Sequence, residues 1–261
     1  MTQQKPTPRP ATLDLTTAIS ELTALLRDFR QAVGELPSQR DARTAAFVAE
    51  RVKRILNADT PVPVVEGPRL VMHFLPSYCF GARPHVIDVA EAPSLRLFES
   101  AGAEAFNHEG RLTSSFRNSP KQSGYASLMP SGIEAVHAFR SPEDQQTGPI
   151  YVQWIEQKIV AAVSEYLGYW QKLQAPGPIE VFSALLSFEG LSLTAGNLMD
   201  SRLYSLPITS RCISLPRVKF EAPVRPDDVT SSFRLPLDVV WRTGGWKRCP
   251  SFDEHGAYKP R

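Results

Sequence analysis

Helical spacing and two-sided apolar runs take turns along this chain, and the switches between them outline its elements. Leu15, Ile19, Leu22, Leu26, Phe29 and Val33 recur at alternating steps of four and three, a heptad-like seam over about two and a half repeats. Gly34 and Pro37 end that segment. A second helix is predicted where Val48, Val52 and Ile55 share one face, with Glu50, Arg51, Lys53 and Arg54 on the others. Ser38 followed by Asp41 resembles a capping box, so this helix is expected to begin near Gln39. Thr60-Pro61-Val62-Pro63 cannot continue it, because each proline lacks a donor and restricts the residue before it. Leu70 to Leu75 is then apolar on both faces apart from His73, as in a strand covered on both sides.

Further along, residues 77 to 109 read as irregular, with one short apolar stretch at Ser94 to Phe98. Leu112–Phe116, Ala126–Met129 and Ile133–Phe139 read as strands. Pro130-Ser131-Gly132 lies between the last two as a hairpin turn should. After a polar loop at 140 to 149 comes the longest helical stripe: Val152, Ile155, Ile159, Ala162, Val163, Tyr166, Trp170 and Leu173. Pro149 suits its first turn, and Ala175-Pro176-Gly177-Pro178 stops it. Ile179 to Phe188 reads as a central strand, and Ile213 to Phe220 as an edge strand because Pro216 cannot donate in a ladder interior. Pro236 to Thr243 reads as a short helix ended by Gly244-Gly245.

These elements predict an α/β fold: a layered mixed sheet with a long packed helix, preceded by an N-terminal helical hairpin. The expected organisation is a disordered tail over 1–11, the hairpin over 12–58 and an α/β domain over 64–261. Two readings of the N-terminal seam remain open. It closes on the following helix, or it serves a homodimer or protein partner through Leu15, Ile19, Leu22, Leu26, Phe29 and Val33.

The 261 residues suffice for one large domain or two small ones, and the 42% apolar content supports an ordinary core. A formal charge of +2 supplies little long-range field. Local basic clusters still matter. Arg51, Lys53 and Arg54 lie on one helix; Arg242, Lys247 and Arg248 flank Trp241 and Trp246. Basic groups interleaved with aromatics can hold single-stranded nucleic acid by charge and stacking, and can equally serve intramolecular pairs. Cys79, Cys212 and Cys249 form no CxxC pair, which favours reduced thiols in a cytoplasmic protein. No apolar run approaches the ~18 residues of a membrane span.

No concentrated catalytic or cofactor motif is present: no G-x-S-x-G, H-E-x-x-H, phosphate-cradling glycine loop or S-x-x-K. No cofactor is therefore expected. The five histidines lie apart in sequence, and His73 and His137 fit hydrogen-bonded or half-buried positions in strands. Asp253-Glu254-His255-Gly256 gathers two carboxylates and an imidazole, which could hold a divalent cation, pair with a basic partner or form a closing turn. A catalytic site assembled from His73 or His137 with Asp253 or Glu254 is the enzymatic alternative.

RVKRILNADTPVPVVEGPRLVMHFLP resembles the region that follows the nucleic-acid-binding domain in bacterial Schlafen-like, AlbA_2-domain proteins. FNHEGRLTSSF with SGYASLMPSGIEAVHAF, the stretch from Trp154 to Leu193, and CPSFDEHGAY resemble later parts of the same C-terminal region. The resemblance covers residues 44 to 258 and implies a regulatory or interaction module, of a class usually described as ATP-binding or as transcriptional regulators. About 45 residues precede Phe47, fewer than the AlbA_2 domain requires, so none of that domain's functional residues has a counterpart here.

Overall fold

The structure is a computed structural model that describes residues 37–82, 84–98, 100–115, 120–140, 149–195, 206–221 and 230–259. The seam from Leu15 to Val33, the tail before it and most of the 140–149 loop lie outside the described residues.

Helix α1 (Pro37–Leu56) begins two residues ahead of the expected start, with proline in the first turn, where its missing N–H costs nothing. It ends in a Schellman-like turn: Ala58 takes a left-handed φ of 58°, and Asp59 N–H donates back to Arg54 O at 2.9 Å. Strand β1 (Arg69–Pro76) is buried at every position, as its two-sided apolar pattern predicts. A 3-10 turn at Ser77–Phe80 follows. The next four strands are β2 (Ala103–Asn107), β3 (Gly110–Ser114), β4 (Gly124–Met129) and β5 (Gly132–Ala138). After β6 (Ile150–Tyr151) comes helix α2 (Val152–Lys172), then β7 (Ile179–Leu186), β8 (Leu193–Thr194), β9 (Cys212–Ser214), β10 (Val218–Phe220) and helix α3 (Arg234–Thr243).

Eight strands make one sheet in the order β10-β7-β1-β5-β4-β3-β2, with β9 beside β10 on the same edge of β7. Every pairing in that sheet is antiparallel, so the mixed sheet read from the sequence is corrected. A two-sided apolar run shows a strand covered on both faces and leaves its direction open. Here such runs result from an antiparallel sheet covered on both faces. The parallel pair, β6 with β8, stands apart from it. The single edge strand expected over Ile213–Phe220 is split at Leu215-Pro216-Arg217 into β9 and β10, since proline interrupts the ladder even at an edge. The irregular region expected at 77–109 contains β2, whose Ala-Glu-Ala-Phe-Asn has little strand character.

Alternation along the strands assigns each side chain to a layer. Leu70, Met72 and Phe74 of β1 and Ile133 and Ala135 of β5 join Ile155, Ile159, Tyr166, Leu237 and Trp241 of α2 and α3 in the larger core. Val71 of β1 and Val136 of β5 meet Ile55 of α1 on the opposite face, and Leu75 meets Phe47 and Val48 beside them. The Tyr169 hydroxyl donates to Pro93 O at 2.6 Å, and Tyr166 donates to Arg96 O at 3.2 Å, so α2 pins the 93–98 loop against the large core.

Candidate functional site

In the sheet interior, His73 of β1 and Glu134 of β5 point toward α1, and Arg69 at the start of β1 lies on the same face. His73 and Glu134 are direct cross-strand partners, and on the other side of β5 the hairpin at Pro130-Ser131 sets the β4–β5 register by pairing Met129 with Gly132. Gly132 is required there. Its φ is +151°, and a Cβ would stand 2.7 Å from Phe74 O in the neighbouring strand. Tyr125 of β4 is diagonal to Glu134, opposite Val136.

The Glu134 carboxylate is fully buried and receives four hydrogen bonds. Arg51 of α1 donates through Nε to Oε2 and through Nη2 to Oε1, both at 2.7 Å, in a bidentate fork. Tyr125 Oη donates to Oε1 at 2.7 Å, and His73 Nε2 lies 3.1 Å from Oε2. The same guanidinium reaches Glu109, on the β2–β3 turn, at 2.9 Å, and Glu109 also accepts from Arg54 at 2.6 Å. Arg54 in turn pairs with Asp59 at 2.7 Å. Glu109 is presented by an Asx turn in which Asn107 Oδ1 accepts from the N–H groups of Glu109 and Gly110. Ser127, directly opposite Glu134 on the other side of β5, is completely buried and its Oγ has no hydrogen-bond partner.

Burial pushes the Glu134 carboxyl up, yet the bonds from Arg51 and His73 outweigh that and bring it down to about 2. Glu109, opposed by its own burial, is drawn below the usual carboxylate range by Arg51 and Arg54. Burial and the neighbouring Glu134 charge push the Tyr125 phenol well up, so it remains a donor. Arg51 keeps its charge because its bonds to Glu134 and Glu109 exceed the effect of burial. Carboxylate, imidazole and phenol therefore converge, with both carboxylate oxygens engaged by Arg51, Tyr125 and His73.

The sequence-derived candidates are placed as follows. Arg51 and Arg54 of the basic helix are engaged with carboxylates, while Lys53 is exposed. Arg242, Lys247 and Arg248 are exposed. Trp241 is buried, donating Nε1–H to Glu156 Oε2 at 2.7 Å, and Trp246 meets it edge-on at 5.4 Å. Beside these residues, Leu206–Ser210, Ile213, Arg242, Thr243 and Gly245 line an open groove of about 380 Å³.

The enzymatic pairing is not assembled. His73 pairs with Glu134, whereas His137 lies on the α2 face between Phe98 and Phe139, each at 5.2 Å. Burial, with Lys158 contributing, pushes the His137 imidazole down to about 4. Asp253 accepts from the backbone of His255 and Ala257 and pairs with Lys259 at 3.0 Å, as a closing turn does. The Cys79 and Cys249 thiols are buried, and burial pushes each up to about 12.

Among the described residues no group of three or more His, Cys, Asp or Glu side chains is arranged to hold a metal ion. Among them, too, no helix is long and apolar enough to cross a membrane. Glu134 and Tyr125 are the site residues that the sequence does not single out, whereas Glu109 lies in a turn entering a strand, as His108-Glu109-Gly110 reads. The available signal was that Glu134 stands between Ile133 and Ala135 in a largely apolar strand, as His73 does in Leu70–Leu75, and a buried charge needs a partner. No family model matches the chain, and neither do curated proteins or solved structures.

Proposed function

We propose that this chain is a non-enzymatic regulatory or protein-interaction module, similar to the C-terminal domain of Schlafen-like AlbA_2 proteins and led by an N-terminal helical hairpin. The observation that supports this is the state of Glu134. The carboxylate best surrounded by acid–base partners is fully buried, with both oxygens saturated by Arg51, Tyr125 and His73. Such a group fastens α1 and has no face left for a substrate. The seam formed by Leu15, Ile19, Leu22, Leu26, Phe29 and Val33 supplies the contact surface in this reading. The outward positions of α1 that it would meet, Ala42, Ala45, Ala46 and Ala49, are small and exposed. Alanines cover little of a leucine side chain, which leaves part of the seam for a homodimer or another protein.

Light scattering tests this. The wild-type chain is expected at twice the mass of one chain, and Leu22→Glu/Phe29→Glu at the mass of one. A wild type already monomeric and unchanged by the substitutions removes self-association. A second reading, contact with nucleic acid, is favoured by the exposure of Arg242, Lys247 and Arg248 beside the open groove. It requires duplex affinity to fall by about 0.9 log units per log unit of salt for each phosphate contacted. No mobility shift at low salt with duplex or single strand excludes it.

A further inference from the structure

The geometry points to a guanidinium receptor on the sheet, built from Glu134, Tyr125 and His73, that α1 fills with Arg51 as a releasable strap. This goes beyond the interaction reading above and stands without it.

The receptor is made by the sheet alone. Glu134, Tyr125 and His73 come from adjacent strands β5, β4 and β1, and their mutual bonds do not involve α1. Tyr125 Oη holds one carboxylate oxygen and His73 Nε2 the other, which leaves the carboxylate edge facing a planar fork. Arg51 supplies that fork with two bonds of 2.7 Å. Glu109, from the β2–β3 turn, completes the wall by taking Nη1 at 2.9 Å. A lysine ammonium, a compact point charge, cannot meet both oxygens in the same way.

The strap is held at a few points. Between Gln39 and Leu56 only Thr44, Arg51 and Ile55 are buried, and the apolar Phe47, Val48, Val52 and Leu56 are half-buried. Further ties are arginine contacts, among them Arg54 with Glu109 at 2.6 Å and Arg217 with Asp41 at 3.6 Å. Arg43 donates to Phe80 O at 2.7 Å, Arg69 to Ile55 O at 3.2 Å and Arg211 to Leu56 O at 3.3 Å. Asn57 to Val62 joins the helix to Pro63, whose carbonyl is fixed by Gln122 N–H at 2.8 Å, so this short segment is the natural pivot. A guanidinium from another molecule, such as an arginine side chain of a partner peptide, matches the same receptor.

Hydrogen exchange on Arg51→Ala tests both parts, with ethylguanidinium as the probe and ethylammonium at equal ionic strength as control. The expected result is at least a tenfold loss of protection in α1 while β1, β5 and β7 keep theirs. Millimolar ethylguanidinium should raise the melting temperature of Arg51→Ala and restore α1 protection less than it restores the melting temperature, since the ligand refills the receptor without being tethered to the helix. Ethylammonium should do neither, and Arg51→Ala/Glu134→Gln should respond to neither cation. Retained α1 protection, joint loss of α1 and the sheet, or equal response to both cations overturns the proposal. If Arg51→Ala does not fold, its refolding yield from urea decides: recovery with ethylguanidinium alone supports the receptor, and no recovery overturns it.

Discussion

Glu134 shows how a single residue can be decisive without being legible. In Gly-Ile-Glu-Ala-Val-His-Ala it looks like an ordinary polar position on the wet side of a strand. Its burial follows from α1 lying over that face, and its partners come from 83 residues away in Arg51 and 61 in His73. Composition and periodicity carry no such register. Glu134→Gln is expected to lower stability by about 3 kcal/mol, the low end for breaking a buried pair, because it leaves Glu109 alone to oppose the buried Arg51 charge. Arg51→Met/Glu134→Leu should cost much less than the sum of the two single changes. Urea unfolding of the four proteins measures both. His137 makes a different prediction. Its imidazole titrates near 4 when folded against an ordinary 6.5, so the unfolded chain holds the extra proton between those values. The stability it contributes is complete above pH 6.5 and is lost as pH falls toward 4, by about 3 kcal/mol in all. His137→Leu should flatten the stability curve across that window. The Glu134 contribution, with a folded value of about 2 against 4.5, declines at lower pH. A curve unchanged by His137→Leu would show that the imidazole is solvated in the fold.

At the scale of elements, the parts with strong local signals were legible. The α2 stripe, the β1 and β7 runs, the β4–β5 turn and the Gly244 stop of α3 each carry their own period or breaker residues. β2 was not legible. It forms because β3 offers an edge and Asn107 closes the turn, both of which are tertiary facts. The mixed-sheet expectation failed for a related reason: two-sided burial identifies covering layers and leaves strand direction open. Gly132 joins local and tertiary requirements in one position. Gly132→Ala places a methyl 2.6 Å from Leu75 Cδ2 and 2.7 Å from Phe74 O, at a φ of +151°. The backbone of β1 would have to move, at a cost of about 2 kcal/mol or more. Thermal unfolding of that variant should show the loss, and a stability equal to the parent would mean that the hairpin relaxes freely.

Across the whole molecule, one sheet serves as the floor of two unequal cores, and this sets how it comes apart. The α2–α3 side contributes long aliphatic and aromatic side chains that are fully buried, including Ile159, Tyr166, Leu237 and Trp241. The α1 side contributes Ile55, half-buried apolar neighbours and an ionic cluster. The four tryptophans, Trp154, Trp170, Trp241 and Trp246, all belong to α2, α3 or the segment after α3. Trp154 is exposed, while Trp170, Trp241 and Trp246 pack in or against the larger core, so a shift in fluorescence chiefly reports that core, and far-ultraviolet circular dichroism at the helical band also counts α1. Ile159→Ala opens a cavity in the larger core and should cost about 2–5 kcal/mol. Because that core includes the sheet's own side chains, both signals should move together along the urea axis, with an unchanged slope. Arg51→Ala should separate them, with helical signal lost at low urea and the tryptophan transition following later. Coincident curves in Arg51→Ala would mean that α1 and the sheet form one cooperative unit, and the ionic cluster would then be a joint of the core rather than the fastening of a strap.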